Sequence, residues 1–267
     1  MLRTLLERLS RSRVIRRRLP ARFGKRPLFV SPDAGLKCLR LNLEAGDSGL
    51  FDAAANCVRP GDVVWDIGAN VGMFTFAAAN TVGPDGSVIA IEADTFLASL
   101  LQRSVQLPAN ADLNVKVLCC AASDDAGISK FLIAERGRAS NSLEKSGHRS
   151  EAGGTRYEQY VPTITLDQLT ETFDKPDFIK IDVEGAEPFV LRGAEKLLRE
   201  HRPSFYIEVG KEQTEEVTQL FNNSGYYLFN GDANDGIRIE QCVFNTLAIP
   251  KEKVAEVPFS QSLGRAA

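Results

Sequence analysis

A short apolar run, Val63-Val64-Trp65-Asp66-Ile67, stops at Gly68, continues through Ala69-Asn70-Val71 to Gly72, and then becomes a helical pattern. A buried strand that empties through glycines straight into a helix constrains this chain more than any other segment. The glycines let the backbone turn sharply and approach a ligand closely. The helix start offers free N–H groups to a polar or negative group. The alternation then repeats. Ser87–Glu92 reads as a strand behind the Gly83-Pro84-Asp85-Gly86 turn, and Asp94 caps a helix to about Leu107. Strands follow at Val115–Cys120, Phe178–Asp182 and Ser204–Val209, with closing strands at Tyr226–Phe229 and Cys242–Ile249. Helices are expected at Ala186–Glu200, with Pro188 in the first turn, and at Gln213–Asn223. This pattern predicts a Rossmann-like α/β fold: a mainly parallel seven-stranded sheet with helices on both faces.

The less regular stretch 127–160 is expected to be a short strand, Phe131-Leu132-Ile133, followed by a long mobile loop. An edge strand follows at Tyr160–Thr165, and Leu166–Leu169 opens a short helix. Arg136, Arg138, Asn141 and Ser142 in that loop are candidates to close over the ligands. Residues 1–60 read as a basic N-terminal extension and cap, 61–250 as the main domain and 251–267 as a tail.

Charge divides the chain the same way. Residues 1–26 hold ten Arg or Lys and one acid, Glu7, whereas the remainder has 22 basic and 34 acidic residues. The acidic body speaks against nucleic acid as a partner. In the basic arm Leu2, Leu5, Leu6 and Leu9 fall at helical spacing. Such a helix either packs on the domain or makes a weak peripheral membrane contact. No run approaches the ~20 apolar residues of a membrane span. Cys38, Cys57, Cys119, Cys120 and Cys242 form no framework, which predicts buried free thiols and a cytoplasmic location. With only His148 and His201, a histidine-rich zinc site is not expected.

The loop spacing narrows the ligand. A dinucleotide fingerprint needs G-x-G-x-x-G after the strand, whereas this chain has G-x-N-x-G with an acid two positions earlier. The arrangement suits the amino-acid end of S-adenosylmethionine (SAM), whose ammonium group Asp66 and loop carbonyls would meet. Glu92 ends the second strand, where an acid accepts hydrogen bonds from ribose hydroxyls. Ser123 and Asp124, after the third strand, are expected beside the adenine. Asp182 and Glu184, with Glu208 ending the fifth strand, point into the crevice at the carboxyl edge of the sheet. Like-charge repulsion among them should raise at least one pKa unless a cation is present.

Five stretches together resemble the FkbM family of SAM-dependent methyltransferases: VWDIGANVGMFT at 64–75, VIAIEAD at 88–94, ASNSL at 139–143, TLDQL at 165–169 and IKIDVEGAEPFVLRGA at 179–194. The last is the most specific, and the resemblance spans about residues 50–230. Ala93 stands where the family often has proline. The resemblance implies a class I methyltransferase fold, SAM as donor, and O-methylation of a hydroxyl on a sugar, glycan or other small-molecule acceptor. It implies that Asp66, Gly68, Asn70 and Gly72 hold the methionine part, Glu92 the ribose and Ala121–Asp124 the adenine, with Ser123 among them. It also implies that Asp182, which would touch the cofactor too, and Glu184 and Glu208 line the place of methyl transfer. One of these acids would take the hydroxyl proton, or together they would hold Mg²⁺, Mn²⁺ or Ca²⁺. The alternatives are a nicotinamide-dependent oxidoreductase and a catalytically silent SAM-binding adaptor. Neither the acceptor nor the oligomeric state is encoded in any recognisable pattern.

Overall fold

The computed structural model describes residues 11, 13–40, 42–147, 153–233 and 235–256. The leucine-bearing segment of the basic arm and His148 lie outside the described residues.

The chain opens with an antiparallel hairpin, β1 (Ile15–Arg18) and β2 (Pro27–Val30). After several 3-10 turns comes helix α1 (Ser48–Asn56). The alternating unit then begins: β3 (Val63–Ile67), α2 (Met73–Val82), β4 (Ser87–Ile91), α3 (Thr95–Val105) and β5 (Val115–Leu118). An inserted sheet follows, built from β6 (Ala121–Ala122), β7 (Gly127–Ala134), β8 (Ser142–Leu143) and β9 (Thr155–Ile164). The chain returns through α4 (Leu166–Leu169), β10 (Phe178–Ile181), α5 (Glu187–Arg192), β11 (Ser204–Glu208) and α6 (Thr214–Asn223). It closes with β12 (Tyr226–Asn230), β13 (Arg238–Ile239) and β14 (Asn245–Pro250).

The main sheet runs β13-β12-β14-β11-β10-β3-β4-β5. Strands β5, β4, β3, β10 and β11 are parallel, and β14 inserts antiparallel between β11 and β12. The two-residue β13 adds an eighth edge strand to the seven expected. From β3 the order steps one way to β4 and the other way to β10. That reversal opens a crevice at the strand carboxyl ends, where ligands of open α/β sheets bind.

Both faces of the sheet are packed. On one, Phe74, Phe76, Val82 and Val88 share a core with Phe23, Leu28 and Phe51 from the N-terminal segment. Phe23 and Phe51 pack as a tilted pair with ring centroids 5.6 Å apart. On the other face Trp65, Ile179, Phe205, Phe221 and Tyr226 are all fully buried. Each such burial contributes about 1.5–3 kcal/mol, so the N-terminal segment is an integral layer of the fold.

Three expectations are corrected. The stretch expected as a short strand and a mobile loop is framed by sheet: the strand expected at Phe131–Ile133 lies within β7, which pairs antiparallel with β9 from Gly127↔Thr163 to Ala134↔Thr155, and β8 adds Ser142–Leu143. Phe131, Ile133, Leu143 and Val161 turn inward beneath Ala93 and Ala186, while polar residues alternate outward. The expected helix Ala186–Glu200 ends at Arg192, because Gly193 presses against the backbone after β6 and the chain resumes as a π-turn at Leu197–His201. Finally, β5 stops at Leu118; all five thiols are free, but Cys119 is exposed and only Cys38 and Cys242 are buried.

Candidate cofactor and acceptor site

The loop after β3 is held by three strands. Gly68 and Ala69 both donate backbone N–H groups to the Ile91 carbonyl at 2.9 Å. Asp182 N–H donates to the Ile67 carbonyl at 3.0 Å, joining the two strand ends at the switch point. Gly68 has φ +77°, and a Cβ there would lie 1.8 Å from the Asp182 carbonyl oxygen, so only glycine fits. Asn70 adopts φ 54°, a left-handed conformation that asparagine tolerates.

Asp66 and Lys180 lie under this loop. Asp66 is fully buried, accepts a hydrogen bond from Thr75 Oγ1 at 2.5 Å and sits 3.3 Å from Lys180 Nζ. Lys180 also donates to the Gly68 carbonyl at 3.0 Å and lies 3.5 Å from Asp182. Burial opposes its charge, but Asp66, Asp182 and Glu208 outweigh that and hold its pKa above the usual lysine value. Asp66 therefore stiffens the loop from below and does not line the cleft. Lys180 stands within the most specific motif stretch, 179–194, and inside a strand of apolar residues, Phe178-Ile179-Lys180-Ile181, but neither signal points to a place under the loop.

The cleft itself encloses about 580 Å³, including its open mouth. Of the seven residues expected to hold a cofactor, Gly68, Asn70, Glu92 and Asp182 line it. Gly72 caps α2 beside it, with φ +87°. Ser123 is buried outside the lining and bonded to Asp124, which pairs with Lys145. Of the segment Ala121–Asp124 expected beside the adenine, Ala121 and Ala122 line the cleft, joined by Cys120, whereas Ser123 and Asp124 do not. Glu92 is buried, receiving Asn70 N–H at 2.7 Å and Asp94 N–H at 2.8 Å. Burial first, and then the charge of Asp94, push its pKa up to about 7 against those two bonds.

The inserted sheet supplies the opposite wall through Phe131, Arg138, Asn141 and Leu143. Arg138 is 6% exposed, bonded to Asp94, to Asp33 at 2.9 Å and to the Tyr157 hydroxyl at 2.8 Å. Asn141 donates to Asp94 at 2.7 Å. These two, expected as loop residues closing over the ligands, are fixed parts of the wall. Arg136 and Ser142 are outside the lining.

Asp182, Glu184 and Glu208 come together as expected, with one carboxylate oxygen from each lying within 4.8 Å of the others. Burial, then the charges of Asp182 and Glu184, push Glu208 up to about 8. All-oxygen sites for Ca²⁺ have metal–ligand distances of about 2.3–2.6 Å, so this spacing admits a divalent cation. Asp182 also lines a second cavity of about 520 Å³ between β11, β14 and α1. Lys37, Gly49, Tyr206, Asp232 and Asn245 in that lining carried no sequence signal.

Residues 66–228 match the family described as Methyltransferase FkbM domain. No curated protein matches the chain in sequence. Among solved structures, the chain is similar to the methyltransferase FkbM of Methylobacillus flagellatus KT, with 18% identity and a TM-score of 0.46. That similarity covers 70% of this chain and 43% of that one, so the chain spans less than half the length of that protein. It is also similar to a SAM-dependent O-methyltransferase of Thermotoga maritima, at 14% identity and TM-score 0.42, covering 76% of this chain and 64% of that one. A third is fibrillarin of Aeropyrum pernix in complex with natively bound S-adenosyl-L-methionine, at 14% identity and TM-score 0.39, covering 72% and 66%.

Proposed function

The chain belongs to the FkbM methyltransferase family, and from that premise we propose that it transfers a methyl group from SAM to a hydroxyl oxygen of a sugar, glycan or other small molecule. The observation that carries this reading is Asn70. Its side-chain Oδ1 is buried in the cleft lining with no hydrogen-bond partner among the described residues, and its backbone N–H is locked to Glu92. A buried acceptor left unpaired costs about 1–3 kcal/mol, so it calls for a donor from a ligand. The ammonium of the methionine moiety is such a donor. Each Glu92 oxygen keeps a lone pair for a ribose hydroxyl after receiving its backbone N–H. Ala121, Ala122, Leu97 and Phe131 give the adenine an apolar slot.

SAM bound in this cleft supplies a methyl group on a sulfonium, open to in-line displacement. Aligning an acceptor with it is worth several kcal/mol of the barrier. Asp182 borders both cavities and sets where the acceptor oxygen must lie. The C–O bond forms as the C–S bond breaks, and the hydroxyl proton passes to the acid cluster. Glu208, with a pKa near 8, is a stronger base than an ordinary carboxylate once ionised. A divalent cation held by Asp182, Glu184 and Glu208 would serve the same end by acidifying the hydroxyl.

Among the described residues no helix is long and apolar enough to cross a membrane. We place the protein in the cytoplasm, on its five free thiols. The peripheral contact of the basic arm with a membrane stays part of the proposal. Calorimetry with SAM and its demethylated product tests the cofactor assignment, and NAD serves as the competing ligand. Turnover with methyl-labelled SAM separates an enzyme from a silent binder. Turnover unchanged after chelation dismisses the cation.

A further inference from the structure

We infer that the second cavity is the acceptor site and that it selects an uncharged or amino-bearing polyol, such as a sugar ring free of phosphate and carboxylate. This rests on the methyl-transfer reading above. Tyr206 is 5% exposed, lines the cavity and makes no side-chain hydrogen bond among the described residues. Its hydroxyl is not among the fully enclosed unpaired side-chain atoms and so opens onto the cavity, where a ligand hydroxyl can pair with it. Beside it Asp232 is held by Asn245 Nδ2 at 2.9 and 3.0 Å, so its carboxylate is fixed and ready to accept from hydroxyls or an amine.

The floor is kept open by Gly49 in the first turn of α1. A Cβ there would lie 2.8 Å from Asp232 Oδ1 and 3.3 Å from the Tyr206 hydroxyl. At the mouth Phe244 is 57% exposed, an apolar surface suited to the C–H face of a sugar.

The charge pattern disfavours anions. Four acidic side chains line the cavity, Asp47, Asp182, Glu208 and Asp232, with Asp47 paired to Lys37. Both lysines in the lining are engaged, Lys37 with Asp47 and Lys180 with Asp66 and the Gly68 carbonyl. With no divalent cation on the acids, a phosphate would meet no unpaired lysine and several acidic side chains, which suppresses wrong partners. The cleft that suits a nucleoside and this hydroxyl-rich cavity meet at Asp182, where the acceptor oxygen and the methyl group must meet.

The test uses the full chain, with SAM uptake first established by calorimetry. Transfer from methyl-labelled SAM is then measured to methyl glycosides of hexoses, 6-deoxyhexoses and 2-amino sugars. The same sugars as 6-phosphates, uronates and nucleoside-diphosphate esters form the opposing arm. Label is expected in neutral and amino-bearing products. Tyr206→Phe should raise the acceptor KM by about tenfold, with SAM affinity within twofold of the parent. Gly49→Ala, which favours the helix, should raise the same KM with melting temperature maintained. Preference for the anionic arm, transfer to none of the panel by protein that takes up SAM, or a Tyr206→Phe variant with unchanged KM each overturns the inference. Folded protein that takes up no SAM instead removes the methyl-transfer reading itself, and the acceptor assignment with it.

Discussion

Glu92 sits where backbone geometry and ligand chemistry compete for one carboxylate. Its pKa of about 7 reflects burial first and Asp94 second. Ribose hydroxyls donate to the ionised form, so uptake of SAM at low pH must expel a proton. Affinity should fall as pH drops below 7, approaching tenfold per unit. Calorimetry at pH 6 and 8 checks this; a flat profile contradicts the role of Glu92, and Glu92→Gln should flatten it. Stability of the ligand-free protein has the opposite sign. A raised carboxyl pKa means the folded state binds the proton more tightly than the unfolded chain. The stability it contributes is therefore full below the ordinary glutamate value and lost as pH rises through about 7. Melting curves from pH 5 to 8 should show that decline, offset by added SAM. Gly68 gives a steric counterpart. Gly68→Ala would place a methyl 1.8 Å from the Asp182 carbonyl at a φ of +77°. Loss of SAM binding and a cost of about 3 kcal/mol or more are expected by denaturant titration.

Elements differ in how openly the sequence declares them. Strands β3, β4, β10 and β11 are near-continuous apolar runs because helices cover both faces, and such runs are readable without neighbours. The inserted sheet was legible only in fragments, at Phe131–Ile133 and Tyr160–Thr165, because its partners are distant in sequence. Thr155–Ile164 alternates exposed Glu158 and Tyr160 with buried Val161 and Thr163, and pairing with β7 extends the strand expected from Tyr160 back to Thr155. The candidate site divides the same way. Gly68, Asn70, Glu92 and Asp182 sit in local motifs and were legible. Tyr206, Gly49 and Asp232 meet only through β11, α1 and the turn after β12, so no window of sequence contains them. Ser123 was misplaced because strand direction after Leu118 cannot be read from composition. Its carbonyl instead touches Gly193 where α5 ends, and a Cβ on Gly193 would lie 2.0 Å from it. Gly193→Ala should therefore force two elements apart, costing about 3 kcal/mol. Because Ala121 and Ala122 precede Ser123 in the cleft wall, SAM affinity should weaken as well, by calorimetry on the folded fraction.

At the scale of the molecule, one buried carboxylate ties the N-terminal segment to the cofactor cleft. Asp33, 2% exposed, follows the β1–β2 hairpin and receives Arg138 at 2.9 Å and Arg156 at 3.0 and 2.9 Å. Burial works against its charge, yet the two arginines hold its pKa below the usual aspartate value. Arg138 in turn grips Asp94, two residues from Glu92. The N-terminal segment, the inserted sheet and the cofactor wall thus share a single charge network, shielded from solvent. Removing one member of a buried ion pair leaves the other desolvated and uncompensated, at a cost of about 3–5 kcal/mol. Asp33→Ala should lose stability in that range and weaken SAM binding, although Asp33 lies outside the cleft lining. Asp33→Ala combined with Arg138→Ala should cost less than the sum of the two single changes, since their shared bond is lost once, although Arg156 and Asp94 each lose a partner. The loss should persist in 1 M salt, because screening reaches exposed pairs such as Arg199–Glu195 far more than buried ones. Denaturant titrations of the double-mutant cycle at low and high salt measure all three. Additive effects, or a loss abolished by salt, would mean the N-terminal segment is merely docked, with no hand in shaping the cleft.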